Sequence, residues 1–308
     1  MRGNNLLDEF KNAFGKRNNS HIQIILINVT VFLAFGVFFV FANWSETLSP
    51  IYDFLYNQFS IPATNSEFIT RPWTIITYMF MHGGLMHILF NMLWFYYFGK
   101  LIIEYLGSDK LVSIYILGGL AGGALYLFMY NVIPFYQERS IGTEMVGASA
   151  AVDAIVVAAA TLLPNYAIHL LFFGPVKLKY IAIISVAMSF LGVTGGNAGG
   201  NIAHLGGAAI GYFYIRQLNS GTDIGRWITA TITFVKSFFV RQPKMKVHSN
   251  NKSSTKKTAS SKVSKERKGT TLNVNQAEID AILDKISQSG YESLSTDEKQ
   301  KLFNASKK

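Results

Sequence analysis

The sequence predicts an all-α polytopic membrane protein, a bundle of six apolar helices followed by a small cytosolic helical hairpin. Composition is the first reason. Of 308 residues, 50% are hydrophobic and 15% charged, against roughly a quarter charged in soluble domains. The second is a series of six apolar runs near the length that a bilayer core of about 30 Å demands, roughly 20 residues of helix each. The third is where the charge sits. The formal net charge is +10, and residues 241–268 alone carry ten Lys/Arg and one Glu. A basic excess confined to one tail segment is not the charged face of a nucleic-acid-binding domain, so nucleic acid is excluded as a partner. The chain has no cysteine, which excludes disulfides, a thiol nucleophile and thiolate metal ligands.

Residues 1–20 read as a cytoplasmic N-terminal segment, and the spans fall near 21–42, 75–99, 111–133, 147–163, 179–194 and 199–218. The first run is longer than a signal-peptide core and is followed by Asn43-Trp44-Ser45 instead of a small-residue cleavage site, so it is a retained span. Orientation follows from Lys and Arg in the short flanks. Arg2, Lys11, Lys16 and Arg17 precede span one, Lys177 and Lys179 lie between spans four and five, and Arg216, Arg226 and the basic tail follow span six. The opposite loops carry only Arg71 and Arg139. Both termini are therefore expected in the cytoplasm of a multi-pass membrane protein, at the inner membrane in a bacterium. The even-numbered spans then start at the outer surface and run inward.

The loop 43–73 carries Trp44, Ile51, Tyr52, Phe54, Leu55, Tyr56 and Phe59 among few charges, which suits a segment lying in the outer interface. Residues 219–243 hold an apolar stretch, 224–240, with Arg226 and Lys236. It reads as an interfacial helix, a seventh span being the alternative that the charge rule disfavours. Residues 244–271, rich in Lys, Ser and Thr, read as a disordered linker suited to anionic headgroups. In 272–308, Ile279, Ile282, Leu283 and Ile286 follow helical spacing, Gly290 marks a stop, and Ser295-Thr-Asp-Glu298 is a capping box opening a helix with Leu302 and Phe303. This hairpin is too small for a core of its own and calls for a cytosolic partner.

Polar side chains inside apolar spans are costly, so each is a functional candidate until a structural partner is found. Span two offers His82, His87 and Asn91, span four Ser149 and Asp153, and span six Asn201 and His204. All three spans start at the outer surface, and this sets their polar groups at one depth. Ser149 and His204 stand a few residues inside their spans, where a serine and a histidine can supply a nucleophile and its general base. Gly207-x-x-x-Gly211 follows His204 by one turn and lets another helix come close. Singly, each residue has a bland reading: a membrane serine usually bonds its own backbone, a histidine is often packed core, and an asparagine serves as helix glue. Jointly, one shared depth on three spans is hard to reach by packing alone.

In His82-x-x-x-x-His87-x-x-x-Asn91, Gly147-Ala148-Ser149 and Ala203-His204-x-x-Gly207-x-x-x-Gly211, in that order, the chain resembles the rhomboid intramembrane serine proteases over roughly 73–216. The resemblance implies a six-helix rhomboid-like bundle, a Ser149–His204 dyad without a third acid, and an oxyanion held by His87 and Asn91 with the Ser149 backbone N–H. It also gives His82, Glu104, Gly147, Gly207 and Gly211 structural roles. Three positions depart from the family pattern. Ala150 replaces the glycine after the serine, adding a methyl that would crowd the oxyanion pocket. Asp153 replaces an aromatic residue one turn below Ser149, where it could accept a hydrogen bond from the other nitrogen of His204 and restore a triad-like arrangement. Trp73-Thr74 replaces a Trp-Arg pair, with Arg71 displaced.

The resemblance further implies transmembrane protein substrates within the lipid bilayer, a helix weakened near the outer face and cut beside a small residue, and no cofactor. An intact helix hides its carbonyls in hydrogen bonds, so the scissile segment must unwind before attack. The alternative is a non-proteolytic rhomboid-like protein that binds membrane helices for quality control. Loss of the serine or the histidine would be its signature, and both are present. A transporter lacks support because no paired broken helices occur. A metal site on His82, His87 and His204 lacks the carboxylate of an H-E-x-x-H arrangement.

Overall fold

The computed structural model describes residues 18–170, 174–239 and 276–306. It divides into two compact units, Met1–Lys244 and Met245–Lys308. The segments called a cytoplasmic N-terminus and a basic linker lie largely or wholly outside the described residues. In the first unit the long helices are α1 (Ser20–Asn43), α2 (Leu48–Phe59), α3 (Leu85–Leu106), α4 (Ser108–Val132), α5 (Ser149–Leu162), α6 (Leu178–Leu191), α7 (Ala198–Asn219) and α8 (Arg226–Phe239).

The bundle is helical as the composition requires. Among the described residues, α1, α3 and α4 are long and apolar enough to cross a membrane by length and composition, while α5 and α6 are shorter apolar helices. At 14 residues each, α5 and α6 run about 21 Å, less than the full hydrocarbon thickness. Helix α7 has the length of a span, 22 residues, but its glycines, asparagine and histidine lower its hydropathy. Large apolar side chains point outward around the bundle, among them Leu89, Phe90 and Leu93 on α3 and Ile183, Ile184 and Met188 on α6. A surface of that kind suits lipid rather than water.

At the centre stands α5, buried along most of its length from Ala150 to Ala160. Small residues let its neighbours approach. A Cβ added to Gly207 would stand 2.0 Å from the Ala150 carbonyl oxygen and one on Gly211 2.2 Å from that of Ala154, so α7 touches the α5 backbone directly. On the other side, a Cβ on Gly118 would meet the Ala154 methyl at 2.4 Å. Three backbones thus pack at glycine distance.

The second span corrects its expected start. Residues 75–84 do not continue α3. A short helix at Thr74–Thr77 and a 3-10 turn at Tyr78–Phe80 lead into extended Met81 and the Gly83-Gly84 pair, and α3 begins only at Leu85. Hydropathy alone does not register the break, because the broken segment is itself apolar. Irregular backbone at membrane depth needs internal partners, and this segment has them. The Tyr115 hydroxyl donates to the Met79 carbonyl over 2.8 Å, the Gly147 N–H donates to the Tyr78 carbonyl over 3.0 Å, and the Tyr78 hydroxyl donates to the Gly119 carbonyl over 2.7 Å. Asn28 on α1 reaches the Tyr115 hydroxyl at 3.3 Å.

Two short antiparallel ribbons interrupt the all-helical expectation. Strands β1 (Ile61–Pro62) and β2 (Glu144–Met145) pair Ile61 with Met145 and tie the first loop to the approach to α5. Strands β3 (Ala167–Leu170) and β4 (Gly174–Lys177) form a hairpin between α5 and α6. The aromatic loop contains the amphipathic helix α2, whose Tyr52, Tyr56 and Phe59 rings all lie within 6.3 Å of the Phe35 ring on α1. Arg71, displaced from the family position, is nonetheless anchored. Its guanidinium pairs with Glu144 at 3.0 Å and with Glu67 at 3.5 Å and donates to the Asn57 carbonyl.

The apolar stretch after span six forms α8, held to α4 at the residue before its first turn, where the Ser113 hydroxyl donates to the Gly225 carbonyl over 3.2 Å. Beside it Lys110 pairs with Asp223. Burial pushes the Asp223 carboxyl up, but Lys110, the Gly225 N–H and the Tyr214 hydroxyl outweigh it and hold it below the ordinary carboxylate value.

In the second unit, α9 (Gln276–Ser289) and α10 (Thr296–Ser306) flank a 3-10 turn at Tyr291–Ser293. Gly290 ends α9 with φ +77°. The capping box forms in both directions, Ser295 N–H to Glu298 at 2.7 Å and Glu298 N–H to the Ser295 hydroxyl at 3.3 Å. Ile282 and Leu294 are buried, whereas Leu283 is exposed.

Candidate active site

Ser149 is the first residue of α5. The preceding Gly147 adopts φ +141°, a left-handed region open to glycine, and a Cβ there would stand 2.9 Å from His87 Nε2. Glycine therefore both turns the chain into the helix and lets the imidazole of His87 approach. His204 rises from the second turn of α7, on the side where Gly207 meets α5. The consequence is a contact between His204 Nε2 and Ser149 Oγ of 2.7 Å. Both side chains are part-buried.

The other face of the imidazole is shared. His204 Nδ1 lies 3.4 Å from Asp153 Oδ2 and 3.3 Å from Ser189 Oγ. The Ser185 hydroxyl donates to Asp153 Oδ1 over 2.8 Å. Ser185 and Ser189 occupy successive turns of α6, so three helices converge on one ring: α7 carries it, α5 supplies Asp153 and α6 supplies the two hydroxyls. Neither serine stood among the sequence candidates. Their i, i+4 spacing on an otherwise apolar span was the signal available, and a serine in such a span ordinarily bonds its own helix.

The remaining candidates are placed as follows. Asn91 is buried on α3, one turn beyond His87, and its amide donates to the His87 carbonyl over 2.9 Å, its second N–H having no partner among the described residues. His82 lies in the broken segment before α3, not within the span. It is buried, edge-on to His87 with ring centroids 5.1 Å apart. Asn201 donates to the Gly192 carbonyl and the Asn197 carbonyl, each over 2.9 Å, and so fastens the α6–α7 turn away from the dyad. Glu104 is exposed on α3 and forms no hydrogen bond or ion pair among the described residues, so the structural role carried to it by resemblance finds no partner there. At the α3–α4 and α7–α8 ends, Lys110 and Asp223 make the ion pair.

The methyl of Ala150 corrects a further expectation. It faces α4, where a Cβ on Gly122 would come within 2.5 Å of it, and Ala150 is 1% exposed. The extra carbon fills a helix contact and does not crowd the space beside Ser149. Among the described residues no cluster of three or more metal-ligating side chains occurs.

Set beside known proteins, residues 70–219 match the rhomboid domain and residues 271–308 match a family of unknown function (DUF6576). The protein is thus a membrane protein carrying a rhomboid domain, and Ser149 and His204 both fall inside the matched span. RHOMBOID-like protein 12, mitochondrial, of Arabidopsis thaliana is 32% identical over 177 residues, 54% of this chain and 52% of the plant protein. The rhomboid protease GlpG of Salmonella newport and that of Salmonella enteritidis are each 47% identical over 51 residues, 17% of this chain and 18% of theirs. The chain is homologous to rhomboid proteins, and it spans about half the length of the plant relative and about a fifth of the Salmonella ones.

Proposed function

We propose that this protein is an intramembrane serine endopeptidase that hydrolyses peptide bonds in or near transmembrane segments of membrane proteins through Ser149 and His204. The observation that carries this reading is the 2.7 Å contact between His204 Nε2 and Ser149 Oγ at the N-terminus of α5. His204 takes the Ser149 proton as Oγ attacks the scissile carbonyl, giving a tetrahedral oxyanion and an imidazolium. The imidazolium returns that proton to the leaving amine as the C–N bond breaks, leaving an acyl-serine. Water, deprotonated by the same imidazole, attacks the ester, and collapse releases the acid and restores the hydroxyl.

The oxyanion falls to the Ser149 N–H, with the His87 imidazole and the second N–H of Asn91 in support. The start of α5 favours the developing negative charge. Asp153 and Ser189 hold the Nδ1 side of His204 and so act as positioning residues. Substrates are transmembrane proteins whose helix is weakened by Gly, Pro or polar residues near the outer face. Both termini lie in the cytoplasm on this reading, with the hairpin available to a cytosolic partner.

Covalent trapping tests the nucleophile directly. A fluorophosphonate probe is expected to label the detergent-solubilised protein on one peptide, at Ser149, with labelling lost in Ser149→Ala and strongly slowed in His204→Ala. Labelling that persists in Ser149→Ala contradicts the assignment and favours a protein that binds membrane helices without cutting them.

A further inference from the structure

Away from the dyad, α5, α6 and α7 enclose an open groove of about 750 Å³. Val157 and Ala160 of α5 form its floor, Ala182 and Val186 of α6 one wall, and Leu205 and Tyr212 of α7 the other. At one end stand two cations, Lys179 in the first turn of α6 and Arg216 in the last turn of α7. Among the described residues neither has an ion pair. Lys179 has its ammonium 5.3 Å from the Tyr180 ring, and Arg216 is exposed.

We infer that this groove is a binding site for one anionic phospholipid, with an acyl chain between α6 and α7 and the headgroup phosphate at Lys179 and Arg216. Depth selects the occupant. Leu205 to Arg216 and Lys179 to Phe190 each cover eleven helical steps, about 16 Å, which is half of a hydrocarbon core of about 30 Å. That is the reach of one leaflet, too short for a partner helix crossing both. Charge selects the headgroup. Among the described residues the only charged ones lining the groove are the two cations, and the charge asymmetry of the loops assigns this end to the cytoplasmic leaflet, where anionic lipid is concentrated.

The site bears on the proposed peptidase, and this part of the inference rests on that reading. Ala182 and Val186, on the groove wall, flank Ser185 on the same helix, and Leu205 follows His204. A chain seated in the groove braces the face of α6 that carries Ser185 and Ser189 to Asp153 and His204. An occupied groove keeps the imidazole oriented; an empty one leaves α6 free to move out.

The test is lipid retention by native mass spectrometry of the full chain in detergent, with phosphatidylglycerol and phosphatidylcholine offered at equal mole fraction. Wild type is expected to keep one phosphatidylglycerol selectively. Lys179→Gln with Arg216→Gln should weaken retention about thirtyfold, given two surface charges near an anionic headgroup. Ala182→Phe, which fills the groove but leaves both cations, should also lose it, with circular dichroism confirming that each variant is folded. Equal retention of phosphatidylcholine overturns the inference, and so does undiminished retention in folded Ala182→Phe. In vesicles, adding phosphatidylglycerol should speed substrate cleavage by wild type and not by the double variant. Selective retention without any cleavage upholds the site and overturns the peptidase reading instead.

Discussion

The Ser185 hydroxyl on α6 donates to Asp153 on α5 over 2.8 Å, and the same carboxylate faces His204 Nδ1 at 3.4 Å. The pair shows how an acid can stand in a membrane bundle. A carboxylate there is costly unless it is hydrogen-bonded, and Ser185 supplies that bond while the imidazole stands at ion-pair distance. On the proposed reading Asp153 is a positioning residue, since its contacts are to Ser185 and to the Nδ1 side of His204 and not to Ser149.

Asp153→Asn preserves the shape and a hydrogen bond from Ser185 but loses the charge facing the imidazole. It is expected to lower kcat about tenfold with KM unchanged, a fraction of the 10²–10⁴ that general acid–base catalysis supplies. Asp153→Tyr, restoring the family's aromatic residue, should retain more activity than Asp153→Ala. Steady-state cleavage kinetics of the three variants check this, and equal kcat in all of them denies the carboxylate a positioning role.

The α5–α7 contact has no room for a side chain at Gly207, where a Cβ would lie 2.0 Å from the Ala150 carbonyl oxygen. Gly207→Ala should therefore destabilise by about 1–3 kcal/mol or more, the usual cost of overpacking, and move His204 off Ser149. Gly36→Ala on α1 meets nothing within 4 Å and should change stability by less than about 1 kcal/mol, in the stabilising direction that helix propensity gives. Thermal unfolding in detergent, read by circular dichroism, compares the two.

Arg71 and Glu144 join the first loop to the strand that leads into Ser149, at 3.0 Å with side chains 13% and 19% exposed. A double-mutant cycle of Arg71→Ala and Glu144→Ala should show a coupling of about 1.5–3 kcal/mol, the range for hydrogen bonds to charged groups. Each single variant is also expected to lower kcat, because β1 and β2 fix the approach to the nucleophile.

In the C-terminal unit, the Ser295 N–H and hydroxyl and the Lys285 ammonium hold the Glu298 carboxyl down to about 2. A depressed carboxylate stabilises above its unfolded value, near 4.5, and that contribution is lost as pH falls toward 2. Ser295→Ala should cost the helix about 1 kcal/mol. Hydrogen exchange at the Glu298 amide should speed up in that variant near neutral pH, and the difference from wild type should narrow as acid protonates Glu298.

Much of the bundle was legible because hydropathy reports length and polarity, and the dyad because Ser149 and His204 stand out against apolar neighbours. What escaped notice had physical reasons. The break at Met81–Gly84 carries a turn signal in Gly83-Gly84, but the apolar residues on either side carry hydropathy across it and placed His82 inside a span. Ser185 and Ser189 look like ordinary self-bonded serines until α6 is set beside His204. The partner of displaced Arg71 is Glu144, 73 residues away in sequence, a pairing that no local pattern encodes. Ala150 differs from glycine by one methyl, and only the position of α4 shows where that methyl points.

If Ser149 and His204 together cut peptide bonds in the bilayer, the purified protein in liposomes cleaves a single-span substrate with a helix weakened near its outer end. Wild type is expected to release two fragments, with Ser149→Ala inactive and His204→Ala slower by at least about a hundredfold, given the 10²–10⁴ that general acid–base catalysis supplies. Cleavage undiminished in Ser149→Ala, or an intact substrate with every folded form of the protein, would show that the protein is not a Ser149-dependent peptidase.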